Sequence, residues 1–134
     1  MTAFPLKIVT PDGVRYEGLV EELIVRTTNG DVGILAGHIN FVAPLGMGQA
    51  AIVENGHKRY GACIGGMVSV VGGKVTLLPT SFEWADQIDL DRANRSQTRA
   101  EEILADKSAA DTDIVLAKAR LKRALVRKGV AIRK

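Results

Sequence analysis

The chain has 134 residues, 46% hydrophobic and 25% charged, with a net charge of +3. These values describe a folded globular chain with one domain of ordinary size, or a small domain with an appendage, and they argue against disorder. The lone Cys63 cannot form an internal disulfide, MTAFPLKIVTPDG lacks the layout of a secretory leader, and the least polar run, CIGGMVSVVGG, is too short to cross a bilayer.

The first elements read as short antiparallel strands. PDG at 11–13 separates LKIVT from VRYEG, and NG at 29–30 separates ELIVRTT from DVGIL. A second NG, at 55–56, lies between AAIVE and HKRYGA, and GG at 72–73 joins MVSVV to KVTLL. Asn-Gly and Gly-Gly supply the positive φ angles of two-residue hairpin turns. The flanks alternate as half-buried strands do, with Leu23 and Val25, Val68 and Val70, Val75 and Leu77 on one face. Several short strands at near-regular spacing indicate a β-sandwich or barrel ending near residue 84.

Between Glu83 and Ile88 glycine and β-branched residues thin out, and Ala, Arg, Lys, Gln and Glu take over. Asp89 is the expected N-cap of a helix over 90–105, with a stripe of Leu90, Ala93, Gln97, Ala100 and Leu104. DKSAADTD reads as a turn, and Asp111 or Asp113 as the cap of a second helix that runs to about Lys128 and stops at Gly129. Its stripe is Ile114, Ala117, Leu121 and Ala124, so an antiparallel hairpin would have a largely alanine seam. Alanine buries little area, so the helices are expected to sit lightly on each other and on the strands.

Catalytic and metal chemistry is hard to build here. His38, His57 and Cys63 have no zinc-ligand spacing; His57 reads as an exposed strand residue and Cys63 as a small buried one. GGMVSVVGGK fails as a phosphate loop because Val68 stands at its first glycine and Val75 at its Ser/Thr. No acid–base pair suggests an enzyme. Aromatic residues, at 4%, are too few for base-stacking platforms, so no nucleic-acid partner is expected.

Charge is concentrated late in the chain. From Asp111 onward eight bases face two acids, making this segment +6 and leaving −3 for residues 1–110. Arg92, Arg95 and Arg99 fall at i, i+3 and i+7, and Arg120, Arg123 and Arg127 repeat the spacing. Each like-charged pair on one helix face costs a few tenths of a kcal/mol. Antiparallel packing would set Arg92 near Arg123 and Arg127 and turn Arg99 towards Arg120. Glu101, Glu102 and Asp106 lie near the turn and leave the open end unneutralised. The pattern alone fits two solvated faces somewhat better than a polyanion site.

VTPDGVRYEG, TTNGDVGILAGHINFVAPLGMG and IDLDRA, followed by LKRALVRKG, resemble in the same order the segments of epsilon subunits of bacterial F-type ATP synthases. The resemblance covers nearly the whole chain. It implies a sandwich over 1–86 followed by a helical hairpin over 87–134, in a non-catalytic subunit that binds gamma and the c-ring. The loop from Asp31 to His38 would meet the c-ring, although Ala36 stands where relatives often carry proline. Extended, the hairpin would reach the catalytic alpha and beta subunits and inhibit ATP hydrolysis through Arg120, Lys122, Arg123 and Arg127. Folded, it would bind ATP as a regulatory ligand, with no cofactor required. Asp89, Arg92 and Ala93 of IDLDRA match the nucleotide motif, and Glu83, Arg99, Arg123 and Arg127 match the remaining binding positions. The implied location is the cytoplasmic side of the bacterial cell membrane, reached through the complex alone. The competing possibility is a free-standing ATP-sensing module that uses the hairpin.

Overall fold

The computed structural model describes residues 2–133. In chain order it has strands β1 (Phe4–Thr10), β2 (Gly13–Val20), β3 (Glu22–Thr27), β4 (Gly30–Ile34) and β5 (Phe41–Pro44). Strands β6 (Met47–Glu54), β7 (His57–Ile64), β8 (Met67–Val71), β9 (Lys74–Leu78) and β10 (Ser81–Trp84) follow. A 3-10 turn at Ala85–Gln87 then leads into helices α1 (Leu90–Ala105) and α2 (Asp111–Ala131).

All four expected hairpins form, but through two kinds of turn. Asn55 and Gly56 have φ of 52° and 77°, and Gly72 and Gly73 have 56° and 80°, so two residues suffice to reverse the chain. At the other NG pair the loop residues are Thr28 and Asn29, because Gly30 already pairs with Thr27 at the start of β4. There the Thr27 hydroxyl accepts from the Asn29 N–H at 3.1 Å and donates to the Gly30 carbonyl at 2.7 Å. Thr10 repeats the device, accepting from the Asp12 N–H at 3.2 Å. A threonine hydroxyl thus supports each of these two turns, while Gly13 and Gly30, with φ of 120° and 111°, still take the positive φ expected of glycine.

The strands form two sheets, ordered β2-β1-β9-β8-β5 and β10-β7-β6-β3-β4, which makes the architecture a sandwich rather than a barrel. A parallel pairing of β1 with β9 closes the first sheet. Strands β5 and β10, which the turn signals did not mark, are four-residue edge strands. Side chains alternating inward from both sheets fill the space between them, among them Leu6, Ile8, Leu23, Val25, Ile52, Val68 and Leu77, all essentially fully buried. Gly61 is required on β7: a Cβ there would lie 2.4 Å from Cζ of Phe82. Tyr16 reaches from β2 to the Glu54 carboxylate on β6 and so ties the two sheets. Burial, then that hydrogen bond, pushes its phenol up to about 12, so it stays protonated and donates.

The second sheet is buried on both faces in places, since Ala51, Ala62 and Ile64 are buried as well as Ala50, Ile52 and Cys63. The last turns of α2 cover its outer face, where Val130 packs on Ala62 and Ala85 beside Tyr60, Ile88 and Val126. This contact explains why α2 runs past Gly129. Burying a valine side chain contributes about 1.5–3 kcal/mol, more than the roughly 1 kcal/mol that a helical glycine costs.

Asp89 caps α1 as expected, its Oδ1 accepting from the Arg92 N–H at 3.0 Å. The start of α2 differs: Ala110 holds the N-cap position without a side-chain bond. Asp111 and Asp113 lie inside the first turn, where their charge favours the positive end of the helix. The seam is alanine, with Ala93 and Ala100 facing Ala117 and Ala124, and Lys128 Nζ donates to Gln97 Oε1 at 2.6 Å across it. Contact between hairpin and strands is made chiefly through α2, on β6, β7 and the 3-10 turn.

Among the described residues, none of the hairpin belongs to the main core cluster, which ends at Trp84. A fragment of residues 1–86 is therefore expected to unfold cooperatively, less stable than the whole chain by no more than about 5 kcal/mol. Chemical denaturation of both chains checks this; a fragment without a cooperative transition would show that the hairpin is part of the folding unit.

Candidate functional site

Where the hairpin crosses the end of the sandwich it leaves a cleft of about 530 Å³, within the range of small-molecule sites. Thr10, Asp12 and Arg15 line it from the β1–β2 hairpin, and Thr80 to Glu83 from the approach to β10 and the strand itself. The first turns of α1 add Asp89, Arg92, Ala93 and Ser96, and α2 adds Arg120, Arg123 and Arg127. Five arginines thus face three acids, Asp12, Glu83 and Asp89.

The fold places these groups by simple periodicities. Phe82 and Trp84 point into the core, so Glu83 between them turns outward beneath α2. Arg120, Arg123 and Arg127 share one side of α2, and Arg92 and Ser96 one side of α1. Arg127 Nε donates to Glu83 Oε1 at 2.6 Å, and its Nη2 lies 3.5 Å from Ser81 Oγ. Both side chains of this ion pair are about 30% exposed (27% for Arg127, 31% for Glu83). Partial shielding makes it stronger than an open surface pair, which is worth about 0–1 kcal/mol. The pair fastens α2 to β10.

Of the seven residues matched to nucleotide binding, Glu83, Asp89, Arg92, Ala93, Arg123 and Arg127 meet in this cleft. Arg99 lies three residues beyond Ser96, exposed and outside the lining. Arg120 lines the cleft, whereas Arg95 and Lys122 are exposed outside it. Arg15, Thr10 and Asp12 carry no signal in the helical pattern; only the fold brings the PDG turn opposite the arginines. Trp84 follows Glu83 in sequence but faces the core, with the Arg59 guanidinium 3.7 Å above its ring and Phe82 edge-on at 4.9 Å.

Asp31 and His38 belong to a different part of the surface. Asp31, on β4, pairs with Arg26 at 2.6 Å, and that bond raises the Arg26 pKa. His38 is half-buried in the loop after β4, its Nδ1 2.8 Å from the Ile39 carbonyl oxygen and its ring edge-on to Phe41. Leu35 and Ile39 flank it, 49% and 76% exposed, and give this loop an apolar tip. His57 is exposed at the start of β7. Burial pushes the Cys63 thiol up to about 12, so it remains an inert thiol. Among the described residues no three His, Cys, Asp or Glu side chains gather as metal ligands, and no helix is long and apolar enough to cross a membrane.

Residues 3–85 match the family described as ATP synthase, Delta/Epsilon chain, beta-sandwich domain, and residues 86–131 match its long alpha-helix domain. The ATP synthase epsilon chain of Bacillus cytotoxicus is 46% identical over 131 residues, 98% of each chain. That of Bacillus mycoides is 44% identical over the same share. A chain in the Euglena gracilis mitochondrial ATP synthase structure has the same fold, with a TM-score of 0.84 and 20% identity over 96% of this chain and 81% of that one. A second, from the central stalk/c-ring structure of the Tetrahymena thermophila mitochondrial ATP synthase, aligns with a TM-score of 0.62 and 13% identity over 95% of each chain. The chain belongs to the family of ATP synthase epsilon chains, non-catalytic subunits of that complex.

Proposed function

We infer that this chain is a central-stalk rotor subunit of an F-type ATP synthase that couples the catalytic head to the ion-translocating c-ring and restrains ATP hydrolysis through its hairpin. Residues 1–86 would bind gamma and the c-ring, the latter through the loop from Asp31 to His38, whose exposed apolar tip suits a protein contact. Residues 87–134 would be the regulatory unit. Membrane association, on the cytoplasmic side of the bacterial membrane, follows from the complex alone.

One observation carries the regulatory part: a cleft with five arginines against three acids lies between the sandwich and a hairpin held down by a small contact. Arginine forks bind phosphate oxygens through short, charge-assisted bonds. ATP in the cleft would add such bonds only while the hairpin is docked, with Glu83, Asp89, Arg92, Ala93, Arg123 and Arg127 around it and Arg99 reaching in from the next turn. Without nucleotide the hairpin would depend on the Arg127–Glu83 pair and the Val130 contact, and could detach. The +6 segment, led by Arg120, Lys122, Arg123 and Arg127, would then meet acidic surface of the alpha and beta subunits and block rotation. Co-purification of the tagged chain with a membrane ATPase tests the subunit role; a chain recovered alone would favour a free-standing nucleotide sensor.

A further inference from the structure

A ligand shifts the hairpin between docked and detached positions only by as much as it binds the two positions differently. Arg92, Arg120 and Arg123 all belong to the hairpin, so a ligand that ties hairpin to sandwich needs a partner on the sandwich wall of the cleft. That wall otherwise offers Phe82, hydroxyls and the carboxylates of Asp12 and Glu83; among the described residues Arg15 is its one cation.

Arg15 differs from Arg127 in how it is held. Arg127 is already neutralised by Glu83 at 2.6 Å. Arg15 has no ion pair within 4.0 Å among the described residues, and its Nη2 donates to the neutral Gln87 Oε1 at 3.3 Å. The same oxygen accepts from the Trp84 N–H at 3.2 Å, which fixes it at the junction of sandwich and hairpin. A neutral anchor aims the guanidinium without cancelling its charge.

We propose that Arg15 is a phosphate-binding arm on the sandwich side of the cleft, through which a bound nucleoside triphosphate fastens the hairpin to the sandwich. This rests on the cleft being a nucleotide site. A triphosphate bridging Arg15 and the hairpin arginines spans both walls, and detachment breaks the Arg15 contact.

The test compares wild type and R15Q, as full chains, by calorimetric titration with ATP and with inorganic triphosphate, and by hydrogen exchange of residues 126–131. R15Q should weaken both ligands by about tenfold, as loss of one charge-assisted contact does. It should also remove the slowing of exchange that ATP produces in wild type, with unliganded unfolding unchanged. K7Q, outside the cleft, should do neither. Wild-type binding and protection retained in R15Q would overturn the role of Arg15 and leave the nucleotide site standing. Weakened ATP binding with unchanged triphosphate binding would overturn the phosphate contact. No binding of either ligand by wild type would overturn both the arm and the site.

Discussion

Arg92→Ala is expected to lower affinity for ATP by about ten- to a hundredfold, whereas Arg95→Ala should lower it well under tenfold. The two side chains are three residues apart near the start of α1, yet only Arg92 lines the cleft, with Arg123 and Arg127. Arg95 is exposed outside it. A direct charge-assisted bond to phosphate contributes roughly 1.5–3 kcal/mol, which converts to that larger loss. A charge outside the site acts through solvent, and its small effect should shrink further as salt rises. Alanine suits a helix, so neither substitution should disturb α1. Calorimetric titration of both variants beside wild type decides between a defined site and a diffuse basic face; equal losses would indicate the latter.

Removing residues from Asp89 onward should raise ATP hydrolysis by the assembled complex several-fold while leaving subunit content unchanged. Assembly should survive because, among the described residues, the sandwich core contains none from the hairpin. Inhibition should be lost because the removed stretch carries the +6 segment and every helical arginine of the cleft. Where the inhibitory contacts are exposed ion pairs, higher salt should also relieve inhibition in the intact complex, though less completely than truncation. Hydrolysis rates of truncated and intact complexes, normalised to catalytic subunit content, measure the effect. Equal rates would show that the hairpin does not restrain rotation.

Much of the fold was legible because local chemistry and tertiary structure agree. The positive φ angles demanded at Asn55-Gly56 and Gly72-Gly73 fixed two hairpins, and Asp89 announced α1 one residue before it begins. Legibility failed where tertiary packing outweighed a local preference. Gly129 reads as a helix stop, but Val130 is buried against Ala62 and Ala85, and the helix continues. Strands β5 and β10 are four residues long and lack a tight turn of their own, so no hairpin signal marked them. The parallel pairing of β1 with β9 joins segments nearly 70 positions apart (Leu6 with Val75), beyond the reach of any local pattern.

The cleft divides in the same way. Helical spacing was enough to group Arg120, Arg123 and Arg127, and antiparallel packing was enough to bring Arg92 to the latter two. Arg99 did not fall inside the lining, because the cleft ends at Ser96 on α1. Arg15 was invisible: it follows a turn more than seventy residues from α1, and only the packed sandwich sets it opposite the helical arginines.

Nucleotide control of the hairpin is tested most directly by calorimetric titration of ATP into the full chain and into residues 1–86, under identical salt. The cleft needs both walls, so a saturable one-to-one isotherm is expected for the full chain and no saturable heat for the fragment. Absence of saturation in the full chain, or the same isotherm in both, would contradict a nucleotide site between hairpin and sandwich.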